Sequence, residues 1–372
     1  MSGARPAVLA AALLCLLSPG PAVAAQADPA LAAAIHVQLA LRPWSASPAW
    51  RPMAEVYRKR ADAPCWVDAG RPGPRVPGAL ATLRGAEEDG LHPQDYGLDW
   101  LEAESQTLTS GSAGGDAARL ARFDVRLSAA LTRLMEEVHA GRVAPATVGL
   151  GLDGAPDGRL PALTAEALLG DTRAAYREAL PRAPIYARLR AALLRHRQLA
   201  REHPASRLPP LRGKLRPGQR WEGVPALAAW LQALGDLPPE AAPKDDLYEG
   251  ALVAAVQRFQ ARHGLGADGT LGAQTCAALA VRPETRVAQL ELGLERLRWV
   301  DGFLQAGPIV GVNIPQFTLW ARGADTAQAP LRMRVVVGRA FRKWRTPVFR
   351  GTLSSVLFSP PWEVPRSIAV EE

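Results

Sequence analysis

Three cysteines, Cys15, Cys65 and Cys276, and six histidines raise thiol chemistry as the first possibility. A nucleophilic cysteine needs a lowered thiol pKa, a neighbouring histidine and N–H donors for the oxyanion. Cys15 sits in an apolar N-terminal run behind Leu14, not behind the small residue that a lipoprotein cleavage site wants. Cys276 is followed by Ala277, Ala278 and Leu279 on a short apolar helix and reads as a small buried thiol. Cys65, between Pro64 and Trp66, has no base beside it in sequence. No cysteine follows Cys276 and no histidine follows His263. His36, His92, His139, His196, His203 and His263 show no metal-ligand spacing, so neither a metal nor a cofactor is expected. The acid pairs Glu87/Glu88 and Glu136/Glu137 fall on helical stretches and read as solvated surface. Nothing selects a pair of carboxylates for glycoside hydrolysis. There is no Gly-x-Ser-x-Gly elbow and no phosphate-cradling loop.

The elements that would position such groups follow from pattern and length. A chain of 372 residues with 48% apolar residues can bury two or three cores, at roughly 100–200 residues per domain. Residues 1–24 read as an export signal: Arg5, the apolar run Val8 to Leu17, a Pro19-Gly20-Pro21 break and a small-residue site at Ala22-Val23-Ala24. No later segment is apolar enough to span a bilayer. Export makes a disulfide possible, but nothing in the sequence brings Cys65 and Cys276 together, and two buried thiols are expected. The formal charge of +8 comes mostly from arginines scattered among glutamates, giving at most a weak attraction to an anionic matrix. Without a basic helix or an aromatic stacking motif, nucleic acid is not an expected partner.

Residues 26–205 read as a helical domain. Leu120, Phe123, Leu127, Leu131, Leu134 and Val138 predict a helix over about 117–140, stopped by Gly141. Another begins after Pro184, with Ile185, Leu189, Ala192, Leu193 and Leu199 on one face. A proline-rich linker, 206–220, precedes a small three-helix unit, 221–282. Its helices carry Val224, Leu227, Trp230, Leu231 and Leu234, then Leu252, Val256 and Phe259, then Ala273–Leu279, with a turn at Asp268-Gly269. Residues 283–307 read as a connecting helix. From residue 308 the period changes to two, and strands are expected at 309–314, 317–320, 331–337 and 354–358. The fold class is therefore α+β and multidomain: a helical domain, a small three-helix module and a C-terminal β portion over 308–372. About 65 residues of short strands leave unpaired edges, a poor stopping point for a domain, so this β portion is expected to be incomplete.

This order resembles the large murein L,D-transpeptidases, whose catalytic part is a YkuD-type β domain. The resemblance covers nearly the whole chain after residue 24. Val56-Tyr57-Arg58, Pro64-Cys65-Trp66, Ala86 to Tyr96, and Asp124 to Pro145 with its Gly141-Arg142-Val143 ending are similar to that family's scaffold domain. Val253 to Gly272 resembles a peptidoglycan-binding module, carried by Val256, Phe259-Gln260, His263-Gly264-Leu265, Asp268-Gly269 and Gly272. In that module Phe259 is expected to anchor the core and Asp268-Gly269 to make the turn. Val335 to Gly338, Thr346 to Phe349, and Ser359-Pro360-Pro361-Trp362-Glu363-Val364-Pro365-Arg366-Ser367-Ile368-Ala369 resemble the opening strands of the transpeptidase domain. Two departures stand out: a longer stretch over Arg339 to Arg345, and Pro361 where relatives carry an aromatic residue.

The resemblance implies a reaction in which a cysteine thiolate attacks a tetrapeptide carbonyl of one peptidoglycan stem, and an amine of a second stem resolves the thioester. The family's Ser-His-Gly-Cys string is absent from this sequence, so no catalytic residue is expected here. The partners implied are the stem peptides and glycan of peptidoglycan. Trp362, Val364 and Pro365 match the string that flanks the substrate cleft, with sandwich core or strand terminus as the alternative role. Tyr248 and Trp221 are candidates for a glycan groove, with core packing as the favoured alternative for Trp221. Two functional readings remain open: the front part of an L,D-transpeptidase that binds wall without cross-linking it, or a noncatalytic peptidoglycan-binding protein. A wall hydrolase is a third, needing a catalytic domain that the helical region does not reveal.

Overall fold

Aspartate caps and glycine stops mark out the helices of the computed structural model, which describes residues 28–41, 50–111, 116–152, 158–202, 208–305, 307–325, 328–339, 345–359 and 361. The arrangement is α+β and mainly helical, with a small antiparallel sheet near its C-terminal end. The expected signal at 1–24 lies outside the described residues.

Helix α1, Pro29–Ala40, starts where the Asp28 carboxylate accepts from the Ala30 N–H at 2.9 Å. Helix α2, Trp50–Lys59, leads to a tight hairpin of β1, Val67–Asp68, and β2, Arg71–Pro72, which turns through Ala69 and Gly70, both with positive φ. Then come α3, Val76–Gly85, α4, Leu98–Ser110, α5, Ala117–Ala140, α6, Leu160–Leu169, and α7, Thr172–Ala179. These helices share one hydrophobic core, and α5 runs through it. Leu120, Phe123, Leu127, Leu131, Leu134 and Val138 are all buried, as their spacing predicts, each contributing about 2 kcal/mol of apolar burial.

Asp124, also on α5, organises a polar knot inside that core. Its carboxylate accepts from the Tyr57 hydroxyl at 2.6 Å and from the backbone N–H groups of Cys65, Trp66 and Val67 at 3.1, 2.7 and 3.1 Å. Ser128, one turn on, meets the Tyr57 hydroxyl at 2.6 Å and accepts from the Trp66 indole at 2.9 Å. The Val56-Tyr57-Arg58, Pro64-Cys65-Trp66 and Asp124 fragments therefore converge on one buried carboxylate, whose oxygens need these donors because water is excluded.

Helix α8, Pro184–Glu202, leads towards a second core built by α9, Val224–Leu234, α10, Gly250–Arg262, and α11, Ala273–Leu279. Two backbone bridges, Leu215↔Leu271 and Arg220↔Leu247, tie the flanking segments around these helices. Helix α12, Pro283–Gln305, does more than connect. It packs along α8 over a small core of Tyr186, Leu193 and Leu294, and reaches α5. The sheet has the order β3, Ile309–Asn313, β4, Thr318–Arg322, and β5, Leu331–Arg334, all antiparallel.

Three strand expectations differ from the structure. The expected strand at 331–337 ends at Arg334. Residues 354–358 join no ladder among the described residues, and Val356, Leu357 and Phe358 stand exposed. Apolar and β-branched residues favour a strand only where a neighbouring strand completes the hydrogen bonds. Phe317, expected to open a strand, adopts φ +53 and closes the 3-10 turn Ile314–Gln316 instead.

Candidate functional site

Two places gather chemistry: the turn region of the small three-helix unit, and a large cavity against α5. In the three-helix unit, Phe259 is buried, with the His263 ring stacked on it at 4.0 Å between centroids. Gln260 is also buried and pins the turn that follows. Its amide nitrogen donates to Asp268 Oδ1, the Thr270 carbonyl and Thr275 Oγ1 at 3.0–3.1 Å, and its Oε1 accepts from the Gly269 N–H at 2.9 Å. Asp268 is exposed and accepts from the Thr270 N–H at 2.8 Å, and this bond holds its carboxyl below the usual range. Gly269 sits at φ +73, where an added Cβ would meet Val253 at 2.8 Å, so both conformation and space require glycine. Gly272 is extended and precedes the first turn of α11. Burial lowers the His263 pKa, and its Nδ1 lies 2.8 Å from the Phe259 carbonyl.

Tyr248, a candidate groove residue, is fully buried and donates to the Gly269 carbonyl at 2.6 Å. It is therefore part of the core, because its hydroxyl is spent inside the turn. Trp221 is half-buried against the same core.

The cavity has a volume of about 1560 Å³ and lies between α2, α4, α5 and the last turns of α12, with Phe349 and Arg350 on its rim. Its wall is held by charge. The Tyr96 hydroxyl donates to Glu137 at 2.6 Å, Arg133 donates to Glu137 at 2.7 Å, and Arg142 pairs with Asp95 at 2.7 Å. Burial, with Glu137 beside it, pushes the Tyr96 hydroxyl pKa well up. Glu137 was expected on the solvated surface with Glu136, but it is buried, because α5 turns that face towards the Ala86 to Tyr96 stretch. Glu87 and Glu88 do lie exposed.

At the end of α5, Gly141 adopts φ +94. The turn it opens donates the Arg142 and Val143 N–H groups to Glu295 Oε1 on α12, at 2.7 and 3.0 Å. Glu295 Oε2 accepts from Arg298 at 2.9 Å, and Arg298 reaches the Asp89 carbonyl and the Tyr186 hydroxyl. The Gly141-Arg142-Val143 string thus works as a clamp on α12. Sequence reading missed Glu295 and Arg298, because their partners lie up to about 200 residues away and a mid-helix Glu–Arg pair looks like ordinary surface.

Neither described cysteine is activated. Cys65 is buried, and burial together with the Asp124 carboxylate pushes its thiol up to about 12. Cys276 is half-buried and likewise raised by burial. Both are free thiols. Among the described residues no three His, Cys, Asp or Glu side chains gather to hold a metal ion, and no helix is long and apolar enough to cross a membrane. Trp362, Val364 and Pro365 lie outside the described residues.

Residues 51–193 match the family described as a scaffold domain, and residues 221–279 match the family described as a peptidoglycan binding domain. No curated protein matches the chain. The second match supports association with peptidoglycan and a place in the cell envelope.

Proposed function

We propose that this chain is exported and holds peptidoglycan through the module at residues 221–282, as the wall-engaging part of an L,D-transpeptidase architecture. The observation that carries this reading is the peptidoglycan binding match over 221–279, placed after a scaffold-domain match over 51–193. The order agrees with the transpeptidase-like strings along the chain. In this reading Phe259, Gly269 and Gly272 shape the module, Asp268 fixes its turn, and Trp362, Val364 and Pro365 flank the cleft for the stem peptide.

The thiols support binding over cross-linking for these 372 residues. Acyl transfer needs a thiolate, and burial holds both Cys65 and Cys276 as thiols. Incubated with tetrapeptide muropeptides, the chain is expected to form no thioester at either sulfur. A noncatalytic peptidoglycan-binding protein of the envelope is the second reading, favoured by the same two thiols.

The test is a hydrogen-exchange footprint of the full chain with soluble peptidoglycan fragments. Slowed exchange within 221–279 is the expected result. Unchanged exchange across that whole segment, at fragment concentrations in the millimolar range, overturns the proposal.

A further inference from the structure

The large cavity against α5 contains a cation that no carboxylate among the described residues neutralises. Arg126, half-buried on α5, lays its guanidinium 4.6 Å over the ring of Trp100 on α4. Arg122, one turn earlier, approaches the same ring at 5.6 Å. Arg126 has no carboxylate partner among the described residues, whereas Arg133, Arg142 and Arg298 of the same wall are held by Glu137, Asp95 and Glu295. The nearest charge that acts on Arg126 is the like charge of Arg122, and with burial it makes the charged form harder to keep. A half-buried cation facing a cavity beside a second cation is compensated most directly by an anionic ligand. The indole face holds the guanidinium carbon over the ring, which keeps the arginine's N–H donors at the cavity wall, where they can meet a carboxylate.

Shape and charge narrow the ligand. At about 1560 Å³ the cavity exceeds the ~300–1,000 Å³ of ordinary small-molecule sites, so it suits a peptide- or saccharide-sized guest. Among the described residues, seven arginines and four acidic residues line it, an excess of positive charge. Trp50, Trp299 and Phe303 add apolar faces against which sugar rings and alanine-like side chains can pack.

We propose that this cavity is a second wall-binding site, in which Arg126, held over Trp100, takes a free carboxylate of a peptidoglycan stem peptide. The anion site rests on the cavity and its unneutralised arginine alone. The choice of a stem peptide as its ligand rests on the peptidoglycan reading above.

The test uses the full chain and a purified disaccharide-tetrapeptide, with hydrogen exchange read separately over 98–110 and 117–140 and over 221–279. Ligand is expected to slow exchange in α4 and α5 saturably. Arg126→Gln raises the concentration for half-maximal slowing about tenfold or more, the loss expected for one charge-assisted hydrogen bond. Arg126→Lys recovers part of the loss, and amidating the ligand's carboxyls weakens binding to the unaltered chain as Arg126→Gln does. Circular dichroism matching the unaltered chain is expected for both variants, since the Arg126 side chain makes no hydrogen bond among the described residues. No slowing in α4 and α5, or slowing unchanged in Arg126→Gln, overturns the inference. Slowing there that depends on Arg126, with none in 221–279, supports this site while removing the module reading.

Discussion

Replacing Glu295 by alanine should loosen α12 from the end of α5. The carboxylate accepts four hydrogen bonds: from the N–H groups of Arg142 and Val143, from the Trp299 indole at 3.2 Å, and from Arg298. Arg298 is 4% exposed, so its charge is left almost without water when Glu295 goes. Removing one partner of a buried pair costs about 3–5 kcal/mol. Here the lower end applies, because Arg142 and Val143 are exposed residues whose freed N–H groups can find water, and Arg298 keeps the Tyr186 hydroxyl and the Asp89 carbonyl. A loss of about 3 kcal/mol corresponds to roughly a hundredfold rise in the opening constant. Glu295→Gln keeps an acceptor for the turn and should lose about half as much. The assay is hydrogen exchange at the Arg142 and Val143 amides, supported by urea denaturation. Exchange at those two amides that stays unchanged in Glu295→Ala would refute the clamp.

Gly141→Ala should detach the same helix, since a Cβ there would meet Trp299 Nε1 at 2.6 Å and Glu295 Oε1 at 2.7 Å at φ +94; a loss of about 2–3 kcal/mol is expected by denaturation. Cys65, with its thiol at about 12, should carry roughly one thiolate in ten thousand at pH 8, so iodoacetamide labels it only after unfolding; rapid labelling in the folded chain contradicts its burial. The lowered pKa of His263 means the unfolded chain takes up a proton more readily than the folded one. The three-helix unit should therefore be most stable above pH 6.5 and lose stability as pH falls below it. Thermal melts followed by Trp fluorescence read this, and in His263→Gln the dependence over that window should shrink.

The repeat of Leu120 to Val138 made α5 legible, because burying one helical face needs that spacing whatever surrounds it. The Phe259-Gln260 and Asp268-Gly269 strings made the module's turn legible, because a positive φ and a buried amide restrict the residues allowed. Tyr248 was misplaced as a groove residue because sequence does not say which end of an amphipathic ring finds its partner. Glu137 was misplaced because only tertiary packing turns its side of α5 inward. The Arg126–Trp100 stack had a faint local signal, the arginines at 122 and 126 repelling each other one turn apart, but its aromatic partner comes from another helix. Residues 354–358 show the reverse failure: the apolar run Val356-Leu357-Phe358 is present and, among the described residues, the ladder is not.

Binding to insoluble peptidoglycan in high salt tests the central claim most directly. A chain with net charge +8 will cling to any anionic wall at low ionic strength. At about 1 M salt the screening length falls to roughly 3 Å, and only contact recognition survives. Co-sedimentation with purified sacculi should then remain saturable for the full chain and should fall sharply when residues 221–279 are replaced by a flexible linker. Sedimentation that vanishes with salt, or that is equal with and without those residues, would contradict the account.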